Sequence, residues 1–203
     1  MEYVVESFRH GEVTLNNIPE YRKVWNELQD VIKSITDEEI IQCHVNHYGK
    51  QKSISKAINH IIKDKLVRLD WKPESPIFQD DAYTGRYWRL DFAKECISVE
   101  VAFNHSGVIP WNLVKPVLAG ELNHVKKAID TKVGVIICAT NELKQRGGFD
   151  NAIGEYEKFL IHLNPLRDIL TIPMVIVGLE PPKTFEIIVE EIDGRNQAVI
   201  NRF

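Results

Sequence analysis

Cysteine is scarce in this chain. Cys43, Cys96 and Cys138 are the only three among 203 residues. An odd, widely spaced set excludes a disulfide framework, and two of the three stand in apolar strand contexts, where they read as buried thiols. Cys43-His44 with His47 offers ligand types for zinc, but no second cysteine pair stands near enough to close a tetrahedral site. Long apolar runs are also missing, so no stretch approaches the length needed to span a bilayer. Residues 1–6 lack the basic start and apolar core of a secretory signal. No membrane association is expected, and a reducing cytoplasm is the expected compartment. Positive charge is not in excess: 25 Lys and Arg face 29 Asp and Glu, for a net charge of −4. That excludes a uniformly basic nucleic-acid binder and leaves room for a locally basic cleft. Internal repeats, low-complexity stretches and clear linkers are absent.

What is present suits one domain with a sizeable core. Residues 1–16 read as a short strand and a turn. Helical spacing of Tyr21, Val24, Trp25, Leu28, Val31, Ile32 and Ile35 predicts an amphipathic helix to about residue 34, with Asn17 as its cap. Residues 38–45 read as a mixed segment and 46–53 as a polar, basic loop. Ser53 or Ser55 is expected to cap the next helix, whose apolar face is Ile54, Ile58, Ile61, Ile62 and Leu66. Lys50, Lys52, Lys56, Lys63 and Lys65 make this the most basic region, a reasonable surface for phosphates or an ordinary solvated face. A helix is expected over 112–129, carrying Leu113, Val117, Leu118, Leu122, Val125 and Ile129. Residues 132–139 and 173–179 are continuous apolar runs, read as buried parallel strands. Between them come a polar loop over 140–148 and a helix over 152–163. The alternation Phe185-Ile187-Val189 predicts an edge strand or hairpin at the end. The fold class is therefore α/β, a central mixed sheet flanked by helices. It divides into a helical part over about 1–75, an α/β core over 76–182 and a tail over 183–203.

The most informative stretch runs from residue 87 to residue 104 and reads as two strands joined by a tight charged turn. In the second strand Ile97, Val99, Val101 and Phe103 face one way, and Ser98, Glu100, Ala102 and Asn104 the other. A carboxylate on such a strand is costly to bury unless something binds it. Asp91 can sit beside Glu100 across the hairpin. Many such pairs are simply solvated edge charges. The alternative is a divalent cation held by two carboxylates and a backbone carbonyl, a set that suits magnesium. A water at such an ion can become the nucleophile in phosphodiester hydrolysis.

Asp91, eight further residues, then Glu100-Val101-Ala102-Phe103 resembles the catalytic hairpin of type II restriction endonucleases of the PD-(D/E)XK superfamily, of the BglII and BstYI type. That pattern has an Asp, eight residues, and Glu-Val-Gln-Phe. The stretches 62–67 with Trp71-Lys72, 132–137, 141–143 and 173–179 resemble the helix before that hairpin and the strands and loop after it. Residues 4–8 and 19–32 resemble the start of such a chain. The resemblance implies a site-specific endonuclease of a prokaryotic cytoplasm, a homodimer enclosing double-stranded DNA at a short palindrome. Each subunit would cut one strand with Mg2+ and leave a 5′-phosphate. It implies Asp91, Glu100 and the Val101 carbonyl as metal ligands. It also implies a catalytic position at Ala102 and a polar active-site residue at Glu74. Lys50, Lys52, Lys56, Asn104, His105, Ser106, Asn141, Lys144 and Arg146 are DNA-contact candidates by position. The helices over 17–34 and 112–129, with Trp25 and Trp111, are the expected dimer surfaces.

Ala102 departs from the pattern, which has Gln there and Lys or Glu in wider relatives. A methyl group can neither orient a water nor stabilise charge on phosphorus. Three explanations stand open: a group supplied from elsewhere, with Lys94, Asn104 or His105 in reach; an introduced substitution; or a relative that binds DNA without cutting. A repair or nicking nuclease on the same core is a further alternative.

Overall fold

A computed structural model describes residues 1–121 and 125–203. The chain opens with β1 (Tyr3–Phe8), followed by α1 (Gly11–Asn17), α2 (Pro19–Lys33), α3 (Asp37–Cys43) and α4 (Ser55–Arg68). Strands β2 (Lys72–Pro76), β3 (Arg89–Lys94) and β4 (Ile97–Val101) come next, then α5 (Ile109–Glu121), β5 (Val133–Ala139), α6 (Asn141–Arg146), α7 (Tyr156–Leu163) and β6 (Met174–Leu179). Strands β7 (Phe185–Ile192) and β8 (Arg195–Arg202) end the chain. Six strands form one mixed sheet in the order β1-β6-β5-β4-β3-β2, and β7 and β8 form a separate two-stranded ribbon. β4, β5 and β6 run parallel, while β1, β2 and β3 pair antiparallel.

The period of two in the central strands divides the core into layers. Val133, Val135, Ile137 and Ala139 of β5 join Val175, Val177 and Leu179 of β6 in a cluster with α1–α4. Ile136 and Cys138, with Met174 and Ile176, face the opposite way into a second cluster with α5 and α7. Phe185 and Ile187 of the terminal ribbon belong to the first cluster, so the tail is packed on the body. The ribbon turns at Asp193-Gly194 with φ values of 52° and 72°, the left-handed pair that a two-residue hairpin turn requires. Among the described residues, no helix is long and apolar enough to cross a membrane.

Several segments differ from their sequence reading. Asn17 does not cap α2; it closes α1, donating from Nδ2 to the Val13 carbonyl at 2.8 Å, and Pro19 starts α2 behind extended Ile18. The segment 38–45 is largely α3, begun by a capping box in which Thr36 and Glu39 satisfy each other's backbone N–H. Ser53 and Ser55 bond to one another at 2.8 Å, and neither caps α4. The polar stretch 140–148 contains α6, nucleated by Thr140 accepting from the Leu143 N–H at 3.1 Å. Ala152 and Ile153 precede α7 in a turn.

α5 starts three residues earlier than expected, is described as far as Glu121, and does not include 125–129. Val125 and Ile129 lie beyond it and pack on a third cluster with Phe78 and Leu90, where Ala128 N–H bonds the Ile77 carbonyl at 2.8 Å. Leu122, expected in the same helical stripe, lies outside the described residues. Gly134 decides how closely α5 approaches the sheet. A Cβ there would stand 2.7 Å from Pro116 Cβ. Any side chain at 134 would push α5 off β5.

Candidate active site

Asp91 and Glu100 are held by the β3–β4 hairpin. The register Phe92↔Val99 places the two acids directly opposite each other. Pro73↔Phe92 and Ser75↔Leu90 likewise place Glu74 opposite Asp91. Three acidic residues thus form a row across β2, β3 and β4, an arrangement of like charges that destabilises a sheet unless a cation balances it. Glu74 departs from strand geometry, with φ at 49°, a strained value for a residue with a side chain.

The ladder breaks where the acids meet. Val101 N–H donates to Asp91 Oδ2 at 2.7 Å, and Asp91 N–H lies 3.4 Å from Glu100 Oε1. Ala102 N–H points the other way, to the Ile137 carbonyl at 2.7 Å, which leaves the Val101 backbone facing Asp91. Glu100 is only 2% exposed. Burial and then the Asp91 charge push its carboxyl up to about 8, against the pull of Lys115. Burial also raises Asp91, and the more distant Glu74 adds to it, while the Val101 N–H and Lys115 pull it down.

The balancing cation within the chain is Lys115. From α5 its Nζ donates to Glu100 Oε2 at 2.5 Å, and the residue is 8% exposed. It is the one charged residue between Ile109 and Gly120. That lone lysine in an apolar helix was a legible signal that the sequence reading passed over. Ala102 faces the same α5 side of β4 and is buried among Ile109 and Leu113.

A cleft of about 90 Å³ opens beside Asp91 on the α4 side, lined by Asn59, Lys63, Pro73, Glu74, Asp91 and Phe92. Lys56, Asn59 and Lys63 share one face of α4 and lead into it. Asn59 was not singled out in the sequence, because only the docking of α4 on β2 brings it here.

The DNA-contact candidates separate into groups. Lys50 and Lys56 are exposed, in the loop before α4 and on α4 itself. Lys52 pairs with Asp150 at 2.8 Å, and His105 bridges to Ile153. Ser106 N–H bonds the Ala152 carbonyl at 2.7 Å, and the Asn104 carbonyl accepts from Gly154 at 2.9 Å. Lys52, Asn104, His105 and Ser106 therefore gather around the 150–154 loop, just beyond the end of β4. The other three lie on α6, where two are engaged within the chain. Lys144 pairs with Glu155 at 3.3 Å, and Arg146 bonds Glu142 and the Pro182 carbonyl and lies over the Phe203 ring. Asn141 is half-buried, its N–H donating to Glu157.

Of the groups suggested to replace a side chain at 102, Lys94 is committed elsewhere. Its Nζ bonds Glu27 and the Leu69 carbonyl, both at 2.6 Å. Trp25 is fully buried, so it offers nothing to a dimer surface. His44 is buried, Cys43 half-buried and His47 exposed.

Among the described residues, no cluster of three or more His, Cys, Asp and Glu side chains has metal-binding geometry. The donor set is two carboxylates and one carbonyl, all hard oxygens. It fits an ion such as Mg2+, which keeps much of its water, and does not fit a closed structural site.

A family model described as "Restriction endonuclease BglII/BglIII" matches residues 3–179. No curated protein matches the sequence significantly. Two solved structures share the fold over 100% of this chain. One is restriction endonuclease BglII complexed with a DNA 16-mer, with TM-score 0.69, 22% identity and 93% of that chain covered. The other is free BglII, with TM-score 0.58, 19% identity and 95% of that chain covered.

Proposed function

This chain belongs to the BglII/BglIII restriction endonuclease family and is a site-specific type II endonuclease; on that premise we propose that Asp91, Glu100 and the Val101 carbonyl form its centre and hold Mg2+ there. The observation that carries this reading is the direct opposition of half-buried Asp91 and buried Glu100 across β3 and β4, where the ladder between those two strands stops.

The Val101 N–H fixes Asp91 by Oδ2, and Asp91 lines the cleft. Glu100 is oriented by β4 and held by Lys115, which reaches it from α5. Lys56, Asn59 and Lys63 provide a track along α4 for DNA phosphates, and Lys63 reaches the cleft wall beside Asp91. When bound, Mg2+ would supply a positive centre for the scissile phosphate and ease deprotonation of the attacking water. Lys52, Asn104, His105 and Ser106, gathered at the 150–154 loop, are the candidates for contacts to base edges or neighbouring phosphates. One chain carries one such centre, so cutting both strands of a palindrome calls for two copies related by a twofold axis.

Digestion of a sequenced plasmid tests this. Mg2+ should yield discrete double-strand ends with 5′-phosphates at one short palindrome, and EDTA should abolish them. Nicks without sequence preference would favour a repair or nicking nuclease. Binding with no cleavage in Mg2+ or Mn2+ would favour a relative that only binds DNA, the reading that Ala102 supports.

Metal binding should also depend on pH. A ligating carboxyl must be ionised, so the raised Glu100 must lose a proton below about pH 8 for the ion to enter. Mn2+ affinity of the DNA-free protein is expected to rise with pH and level off above that value. Titration calorimetry in buffers of different ionisation enthalpy should show proton release on the lower side. Affinity that stays flat from about pH 6 to pH 9 would remove Glu100 from the ligand set.

A further inference from the structure

We propose that Lys115 is the third catalytic side chain of this nuclease, reaching from α5 to the place beside Glu100 that Ala102 is too short to fill. The proposal rests on the Asp91–Glu100 pair being the nuclease centre.

Three observations support it. First, an ammonium buried in an apolar helix is costly, and a hydrophobic residue at 115 would pack more cheaply. Its neighbours Leu113, Pro116 and Ala119 are all buried and uncharged. Second, among the described residues Lys115 makes one side-chain hydrogen bond, to Glu100. An ammonium has three donors, so the others remain for a ligand at the same carboxylate. Third, the fold brings α5 close by design. Gly134 lets Pro116 seat directly on β5, and the adjacent residue then reaches across to β4. Glu100 and Ala102 share the β4 face that α5 covers.

The chemistry needs such a group. In hydrolysis a water oxygen bonds to phosphorus and gives up a proton to solvent. The P–O3′ bond breaks, and O3′ takes a proton from solvent and leaves as the 3′-hydroxyl. Negative charge builds on the non-bridging oxygens in between. Lys115 Nζ supplies a fixed cation and N–H donors toward that charge in a water-poor site. The small residue at 102 leaves room for a lysine arriving from α5. Ala102→Gln is therefore not expected to improve the enzyme.

The test uses the full-length protein. Lys115→Met should lower the single-turnover cleavage rate in Mg2+ by about 10²–10³-fold. Specific duplex affinity in Ca2+ should stay within about threefold, and so should Mn2+ binding measured at about pH 9 or above, where Glu100 is ionised. The double variant Lys115→Met/Ala102→Lys returns a lysine to the same face of β4 and should recover at least about tenfold of the loss. A role in packing alone would not produce that rescue. If the parent cuts and Lys115→Met cuts within about threefold of it, Lys115 is not catalytic and the nuclease centre stands. If the parent never cuts, the centre itself is misread and Lys115 falls with it. If Lys115→Met loses Mn2+ binding in step with cleavage, or relocation rescues nothing, Lys115 merely props Glu100 and the proposal is overturned.

Discussion

Asp91→Asn should leave a protein that folds, finds its DNA site and does not cut it. Asparagine keeps the shape of aspartate and retains an oxygen for the Val101 N–H, so the hairpin has no reason to open. What it loses is the charge facing Glu100 and a hard anionic ligand for the ion. A metal centre contributes several kcal/mol of charge stabilisation in the transition state, so a fall of about 10³-fold or more in cleavage is expected. Thermal stability should hold or rise. Burial already disfavours the charged form of Asp91, and the variant removes a like charge from beside Glu100. Duplex binding in Ca2+, single-turnover cleavage in Mg2+ and a melting curve together check this. Normal cutting by the variant would mean that the acids on β3 and β4 are not the centre.

Ile161→Glu should separate the two subunits of the proposed dimer. Ile161 on α7 is 70% exposed, and Ile169 just beyond the helix is 56% exposed. Leu160 and Leu166 beside them, with Val114 and Val117 of α5, are only partly covered by the second core cluster. Together they make an apolar surface of the kind that marks a contact site. The occupant argued for is a second copy of this chain, because one centre per chain cannot cut both strands at once. Burying an isoleucine stabilises by about 1.5–3 kcal/mol, and a twofold interface would use the contact twice. Replacing it with a charge should weaken dimerisation by about 10²-fold or more. Sedimentation velocity should then show a monomer where the parent is a dimer, and double-strand cleavage should give way to slow nicking. Asp91→Asn should sediment as the parent does. A parent that is monomeric at all concentrations, with or without DNA, would refute the dimer.

The parts of the fold that could be read from residue order share one property. β4, β5 and β6 show a period of two, or an apolar run too short for a helix, and each appeared close to its expected bounds. α3 and α6 were missed because they are short and polar. Their start signals, Thr36 with Glu39 and Thr140 with Leu143, are local hydrogen bonds and not a stripe of apolar residues. The helix expected to run on to Ile129 does not include 125–129, for the opposite reason. Val125 and Ile129 keep helical spacing, yet they are used by a segment that pairs with 77–79. Period reports that a face is buried, and it does not say against what.

The candidate site divides along the same line. Alternation along β4, and a turn too short to slip, determined that Asp91 and Glu100 would share a face and sit side by side. That much is local geometry, written in residue order. Tertiary structure decided which charge would meet them. Lys115 lies far along the chain from Asp91, and nothing in its neighbours names a partner. It reaches Glu100 because Gly134 admits Pro116 against β5. By the same logic Lys144 is assigned to Glu155 and Lys94 to Glu27, although both look available in the sequence. A side chain's surroundings depend on packing between distant segments, and only a fold can supply that.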